Sequence, residues 1–221
     1  MRLVIFDVDG TLVDSFARIR WAMATAFAAC DLPIPDGEAI RGIIGLSLPV
    51  AISRLAPSVG ETGLRALVEA YSESFRSRSA ACPDTSFFPG ALQALTRLNA
   101  QDDVLLAIAT GKSRRGMSRI LSTYKLAPLF QSVQVADDHP SKPHPSMVER
   151  CLRDTGVASD QAVMVGDTCF DLEMGRAAGV GTIGVSWGYH ETHMLAPFAD
   201  HLISDFDALD TALLQLWGAR A

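Results

Sequence analysis

The chain is expected to fold as a doubly wound α/β domain, a Rossmann-like parallel sheet covered by helices, with a helical insert after its first strand. Three observations carry this expectation. Short apolar runs without polar alternation recur at 3–6, 104–109, 133–135, 162–165, 182–185 and 202–203, as in strands buried on both faces. Helical periodicity fills most intervals between them, at 90–99, 114–126, 145–154, 172–178 and 206–217, the usual connection between parallel strands. Residues 15–86 break the alternation, with apolar side chains at helical spacing and no strand pattern.

The first strand runs into "VIFDVDGTLVDS", where two aspartates, Asp7 and Asp9, flank Val8 and a third, Asp14, follows a Gly-Thr turn. In the insert, Phe16, Ile19, Met23, Phe27 and Cys30 share one helical face, and Leu64, Leu67, Val68, Tyr71 and Phe75 share another. Asp14-Ser15 opens it, and "FFPG" closes it, since Pro89 and Gly90 punctuate the chain before a new helix. Residues 1–14 and 87–221 are therefore expected to form the α/β core and 15–86 a helical cap.

Composition narrows the class. With 48% hydrophobic and 20% charged side chains over 221 residues, the chain can bury a full core. A net charge of −6, with no Lys/Arg-dense block, argues against a nucleic-acid surface. The first strand begins at Arg2 or Leu3, leaving no room for a secretory leader, and no apolar run is long enough to span a bilayer, so a cytoplasmic protein without membrane contact is expected. Cys30, Cys82, Cys151 and Cys169 are widely spaced and read as reduced thiols.

The unusual polar residues follow the strands. Asp7 and Asp9 follow the first, Thr110-Gly111-Lys112 the second, Lys142 of "SKPHP" the third, and Asp167 and Asp171 of "GDTCFD" the fourth. Ligands of open parallel sheets bind beyond the carboxyl ends of the strands, so these residues are expected to converge. Asp7, Asp9 and Asp167 offer hard oxygens suited to Mg²⁺. Lys142, Thr110 and the amides near Gly111 suit an anion. Like unit charges about 4 Å apart repel by roughly 4 kcal/mol at an effective dielectric of about 20, so a phosphate dianion enters such an acidic site only if a metal and a lysine offset it. One carboxylate can then attack phosphorus while a second moves protons.

These four segments resemble the motifs of the haloacid dehalogenase superfamily, and within it the phosphoglycolate phosphatase-like hydrolases, over essentially the whole chain. The resemblance implies Asp7 as nucleophile, forming an aspartyl-phosphate, and Asp9 as general acid and then base. It implies Thr110 and Lys142 as phosphoryl ligands, with Gly111 and Lys112 beside them. Mg²⁺ would be held by Asp7, the backbone carbonyl of Asp9 and Asp167, with Asp171 at or near the metal. The substrate expected is a small phosphorylated metabolite, the enzyme a monomer or homodimer. Dehalogenases of the superfamily lack the acid matching Asp9, and the similar sugar phosphomutases carry a cap histidine where this chain has Ile19, so a hydrolase is favoured. A pyrophosphatase or a sugar phosphomutase of the same superfamily is the alternative, and pyrophosphate, sugar phosphates and nucleotides compete with phosphoglycolate as substrate. A phospho-receiver domain lacks Asp9 and the insert, and a noncatalytic relative would have lost a motif residue.

Other residues carry weaker expectations. In "RGIIGLSL", Arg41 is placed to meet an anionic leaving group or else lies solvated. Arg114 and Arg115 read as a solvated helix face, the histidines of "HETH" as surface residues, and His139 and His144 as rim or loop packing. Cys169 reads as a gap-filler inside the fourth motif.

Overall fold

A computed structural model describes residues 1–76 and 85–220; Cys82 lies outside them. The elements run β1 (Arg2–Phe6), β2 (Val13–Asp14), α1 (Phe16–Ala29), α2 (Gly37–Arg41), α3 (Leu48–Leu55), α4 (Glu61–Arg76), β3 (Ser86–Phe87), α5 (Ala91–Asn99), β4 (Val104–Thr110) and α6 (Arg114–Thr123). They continue with β5 (Phe130–Val135), α7 (Ser146–Thr155), β6 (Ala162–Gly166), α8 (Cys169–Ala177), β7 (Gly181–Val185), α9 (Thr192–Leu195), β8 (His201–Ile203) and α10 (Leu209–Arg220).

Six strands form one parallel sheet in the order β5-β4-β1-β6-β7-β8. From β1 the chain builds outward through β4 and β5, then crosses back to β6 and builds the other way. The switch point therefore lies between β1 and β6, where a crevice opens at the strand ends. Alternate residues of β1 serve opposite faces: Val4 and Phe6 pack with Leu95, Leu98 and Trp217, whereas Leu3 and Ile5 pack with Met147, Cys151 and Met174. This explains the unalternating runs, because both faces are covered.

Helices α1–α4 share an apolar cluster of their own, built on Met23, Phe27, Ile40, Ile52 and Leu67. A short antiparallel pair, β2 with β3, joins the strands on either side of them, Val13 opposite Phe87 and Asp14 opposite Ser86. Two-residue strands leave no periodicity to read, which is why the sequence does not announce them. Several helix ends also shift from the sequence expectation. The sixth helix stops at Thr123, before Lys125 takes a left-handed φ of 56°. The eighth starts at Cys169, because Thr168 caps it by accepting from the Asp171 amide. No helix among the described residues is long and apolar enough to cross a membrane.

Candidate active site

Pairing of β1 with β6 extends one residue past the strand, the Asp7 amide donating to Val165 O at 3.0 Å. The chain then turns tightly, with Leu12 and Val13 both donating to Val8 O. Gly10 takes a φ of 92°, and a Cβ there would lie 2.1 Å from Asp167 Oδ2. Only glycine fits a turn pressed so closely on a carboxylate.

Lys142, fully buried, donates from Nζ to Asp7 Oδ1 at 2.7 Å and to Asp171 Oδ1 at 2.6 Å. Burial alone would lower the lysine pKa, but Asp171 and Asp7 together hold it above the ordinary value, so the ammonium stays charged. Asp171 is itself fixed by the cap of α8: its Oδ2 accepts from the Thr168 amide at 3.0 Å and the Thr168 hydroxyl at 2.7 Å. Both Asp171 oxygens are thus engaged, and the residue positions Lys142. Asp167 accepts from the Thr11 hydroxyl and from the Tyr189 amide, each at 2.9 Å. Gly188 closes its other side, where a Cβ would sit 2.1 Å from Asp167 Cβ.

Asp7, Asp167 and Asp171 bring carboxylate oxygens within 4.8 Å of one another, and all three are buried. One lysine does not balance them. Burial first, then Asp171 and Asp9, push Asp7 up to about 7 against the pull of Lys142. Burial, Asp171 and Asp7 likewise raise Asp167 well above the carboxylate range. Asp7 Oδ2 is buried with no hydrogen-bond partner. A hard-oxygen donor set short of positive charge, with one oxygen unsatisfied, fits a divalent cation such as Mg²⁺.

A cleft of about 990 Å³ lies over this cluster, lined by Asp7, Asp9, Thr110, Gly111 and Lys112 from the strand ends and by Ile43 to Leu46 from the helical segment. Lys112 Nζ stands 2.8 Å from Asp9 Oδ1, and Thr110 Oγ1 accepts from the Lys112 amide at 3.2 Å. The loop after α2 seats directly on the motif loops: the Ser47 amide donates to Ser141 Oγ at 2.9 Å, and a Cβ on Gly111 would lie 2.3 Å from Gly45 O. Gly111→Ala is therefore expected to hold this loop off the site and lower kcat/KM by about tenfold to a hundredfold. Steady-state kinetics would check this, with circular dichroism unchanged; parent-like kinetics would count against close seating of the loop.

The structure thus brings Asp7, Asp9, Thr110, Gly111, Lys112, Lys142, Asp167 and Asp171 together and leaves Arg41 out. Arg41 is exposed, its guanidinium 3.9 Å from the centroid of the Phe16 ring, outside the cleft lining. Arg114 and Arg115 are both exposed, as a solvated face requires; Arg114 pairs with Asp138, while Arg115 also lines the cleft. His139 packs against Ser146 and Gln134, and exposed His144 accepts from the Ser146 amide; neither lines the cleft. His190 corrects the surface expectation for "HETH": it is buried, accepts from the Cys169 amide and packs edge-on against Phe170, whereas His193 is exposed. Half-buried Cys169 packs beside the insert's apolar cluster.

Sequence reasoning missed Thr11, Gly188 and Tyr189. Tyr189 supports the site twice, by its amide to Asp167 and by its hydroxyl, which accepts from the Ser15 amide at 2.8 Å where the insert begins. The signal was "SWGYH" directly after β7, since the strand-end logic applied to four strands holds for a fifth.

The profile of the haloacid dehalogenase-like hydrolases matches residues 4–185. A Dickeya dadantii protein called "Probable phosphatase IndB" is 38% identical, with 92% of this chain and 89% of that protein covered. A phosphoglycolate phosphatase of Pseudomonas savastanoi pv. phaseolicola is 30% identical, with 88% and 73% covered. Among solved structures, a haloacid dehalogenase-like family hydrolase from Streptococcus pneumoniae superposes with a TM-score of 0.82 at 24% identity, covering 96% and 98% of the two chains. An acid pair at the sheet's switch point, backed by a buried lysine and spread over the matched segment, joins these likenesses in one conclusion: the chain belongs to the haloacid dehalogenase-like hydrolases, on their phosphoglycolate phosphatase-like side.

Proposed function

We propose that the protein is a cytoplasmic, Mg²⁺-dependent phosphatase that hydrolyses a small phosphate monoester through an aspartyl-phosphate. The observation that carries this reading is Asp7, whose Oδ1 is pinned by Lys142 while Oδ2 is left without a partner beside two further carboxylates. Such a carboxylate is oriented for attack and poorly compensated, as a nucleophile must be.

In the proposed reaction Asp7 attacks phosphorus, the bond to the leaving oxygen breaks, and Asp9 gives that oxygen its proton. Asp9 then takes a proton from water as the water attacks the phosphorus of the aspartyl-phosphate, releasing inorganic phosphate and restoring Asp7. Thr110 and Lys142 hold the phosphoryl oxygens throughout. Asp7, the Asp9 carbonyl and Asp167 would hold Mg²⁺, which supplies positive charge against the phosphoryl group. The helices α1–α4 act as the cap expected over 15–86, of which 77–84 lie outside the described residues, and the loop after α2 shuts water out where it seats on the motif loops. The names of several relatives make phosphoglycolate, a short ester with a second anion, the first ester to assay.

Phosphate release from p-nitrophenyl phosphate should be abolished by chelation and restored by Mg²⁺, whereas Ca²⁺, which favours more ligands, should support little. Full activity in excess chelator would defeat the proposal. Stability provides a second readout. Asp7 has a folded pKa of about 7 against 3.8 for the free side chain, so the folded state binds the extra proton between these values. Its contribution is fully present below about 4 and is lost as pH rises through about 7. Because Mg²⁺ competes with that proton, the rise in Tm that Mg²⁺ produces should grow from pH 5 to pH 8. A pH-independent rise would count against Asp7 as a ligand.

A further inference from the structure

Many arginines outside the cleft are engaged either by acids or by rings and carbonyls: Arg41 lies over Phe16, Arg54 over Phe170, and Arg176 donates to Pro197 O. Arg2, Arg65, Arg97, Arg114, Arg150 and Arg153 each stand against a carboxylate. Arg18, Arg115 and Arg119 line the cleft and have no carboxylate partner among the described residues. The acids in the lining are Asp7 and Asp9, and Asp9 is already paired with Lys112. The cleft is therefore acidic where the phosphoryl group reacts and basic along its helical wall.

The basic wall has a direction. Arg115 and Arg119 are four residues apart on α6, on one face and about 6 Å apart along the axis. Arg115 also bridges to α4, donating to Ser72 O at 3.5 Å. Arg18 approaches from α1 with its guanidinium 4.9 Å from the centroid of the Phe75 ring. Guanidinium groups that line a cleft without a carboxylate to neutralise them suit a planar or tetrahedral oxyanion, which they bind bidentately. The lining runs from Lys112 along α6 past Arg115 and Arg119 to Thr123 and Tyr124, about 15 Å of helix, whereas the two carbons of glycolate extend only about 3 Å beyond the ester oxygen.

We infer that the substrate has an extended leaving group carrying a second anionic group, a carboxylate or a phosphate, which Arg115 and Arg119 bind away from the scissile phosphate. This rests on the phosphatase reading above and specifies its substrate class. Arg18 closes on the same group from the cap side, so a charged leaving group also draws the two walls of the cleft together.

The test uses two matched pairs of esters that differ in the second anionic group: fructose 1,6-bisphosphate against fructose 6-phosphate, and 6-phosphogluconate against the open-chain sorbitol 6-phosphate. Initial rates of phosphate release give kcat/KM for each, with p-nitrophenyl phosphate as the general phosphatase probe. The charged member of at least one pair should be preferred by about tenfold to a hundredfold, the contribution of a hydrogen bond to a charged group. The pair that discriminates identifies the anion. Arg119→Gln and Arg115→Gln should each collapse that ratio, and Arg41→Gln, outside the cleft, should leave it standing. No preference in either pair, refusal of both charged sugars while p-nitrophenyl phosphate is cleaved, or a ratio that survives both substitutions would overturn the inference and leave the phosphatase reading intact. No phosphate from any ester, p-nitrophenyl phosphate included, would remove the phosphatase reading and the inference with it.

Discussion

Asp7→Asn is expected to abolish turnover, by about 10⁴-fold or more, while leaving the fold intact. The amide has the carboxylate's shape, and its oxygen can still accept from Lys142, so the contact at 2.7 Å need not break. What disappears is the nucleophile and one of three crowded negative charges. Because burial and its neighbours hold Asp7 at a pKa of about 7, the native carboxylate is costly once ionised. In the absence of metal at pH 8, the Asp7→Asn protein should therefore match or exceed the parent in Tm. Asp9→Asn should behave oppositely in chemistry. It keeps the nucleophile but loses the proton shuttle, a loss of about 10²- to 10⁴-fold, so an activated ester should leave a phosphoryl group on the enzyme. Rapid-quench mass spectrometry would find the added mass on the peptide containing Asp7. An Asp7→Asn protein that turns over like the parent, or a phosphoryl group on another residue, would refute the mechanism.

Lys142→Met should damage both activity and stability. The ammonium is the buried cation that faces Asp7 and Asp171, and its loss leaves both without their charge partner beside a third buried carboxylate, Asp167. Breaking a buried pair in this way costs about 3–5 kcal/mol. A fall in kcat of about 10³-fold is expected beside it, since the phosphoryl charge loses a fixed partner. Mg²⁺ should recover part of the stability and little of the rate. Arg114→Ala is the comparison: its pair with Asp138 is solvent-exposed, and such pairs contribute about 1 kcal/mol or less. Urea unfolding and steady-state kinetics on the two variants would check this. Equal losses at both positions would overturn the roles assigned to them.

The strands, the helices between them and the loops that carry Asp7, Asp9, Thr110 and Asp167 were legible in the sequence, and for a local reason. A strand covered on both faces needs an uninterrupted apolar run, a helix repeats its apolar face about every 3.6 residues, and the chemistry of such a sheet sits just after its strands. Each signal is contained within about a dozen neighbouring residues. Partnership is not. Lys142 meets Asp7 across 135 positions of chain, and the Tyr189 amide meets Asp167 from the loop after a strand that carried no motif. Arg41, Arg115 and Arg119 look alike as charged residues on helices, yet the packing of α6 beside the insert turns two of them into the cleft and leaves the third stacked on Phe16. The same holds for His190, polar in sequence and buried in fact. Periodicity determines which face of an element is apolar; only the docking of elements far apart in sequence decides what its polar residues meet, and so which charges are left to bind a substrate.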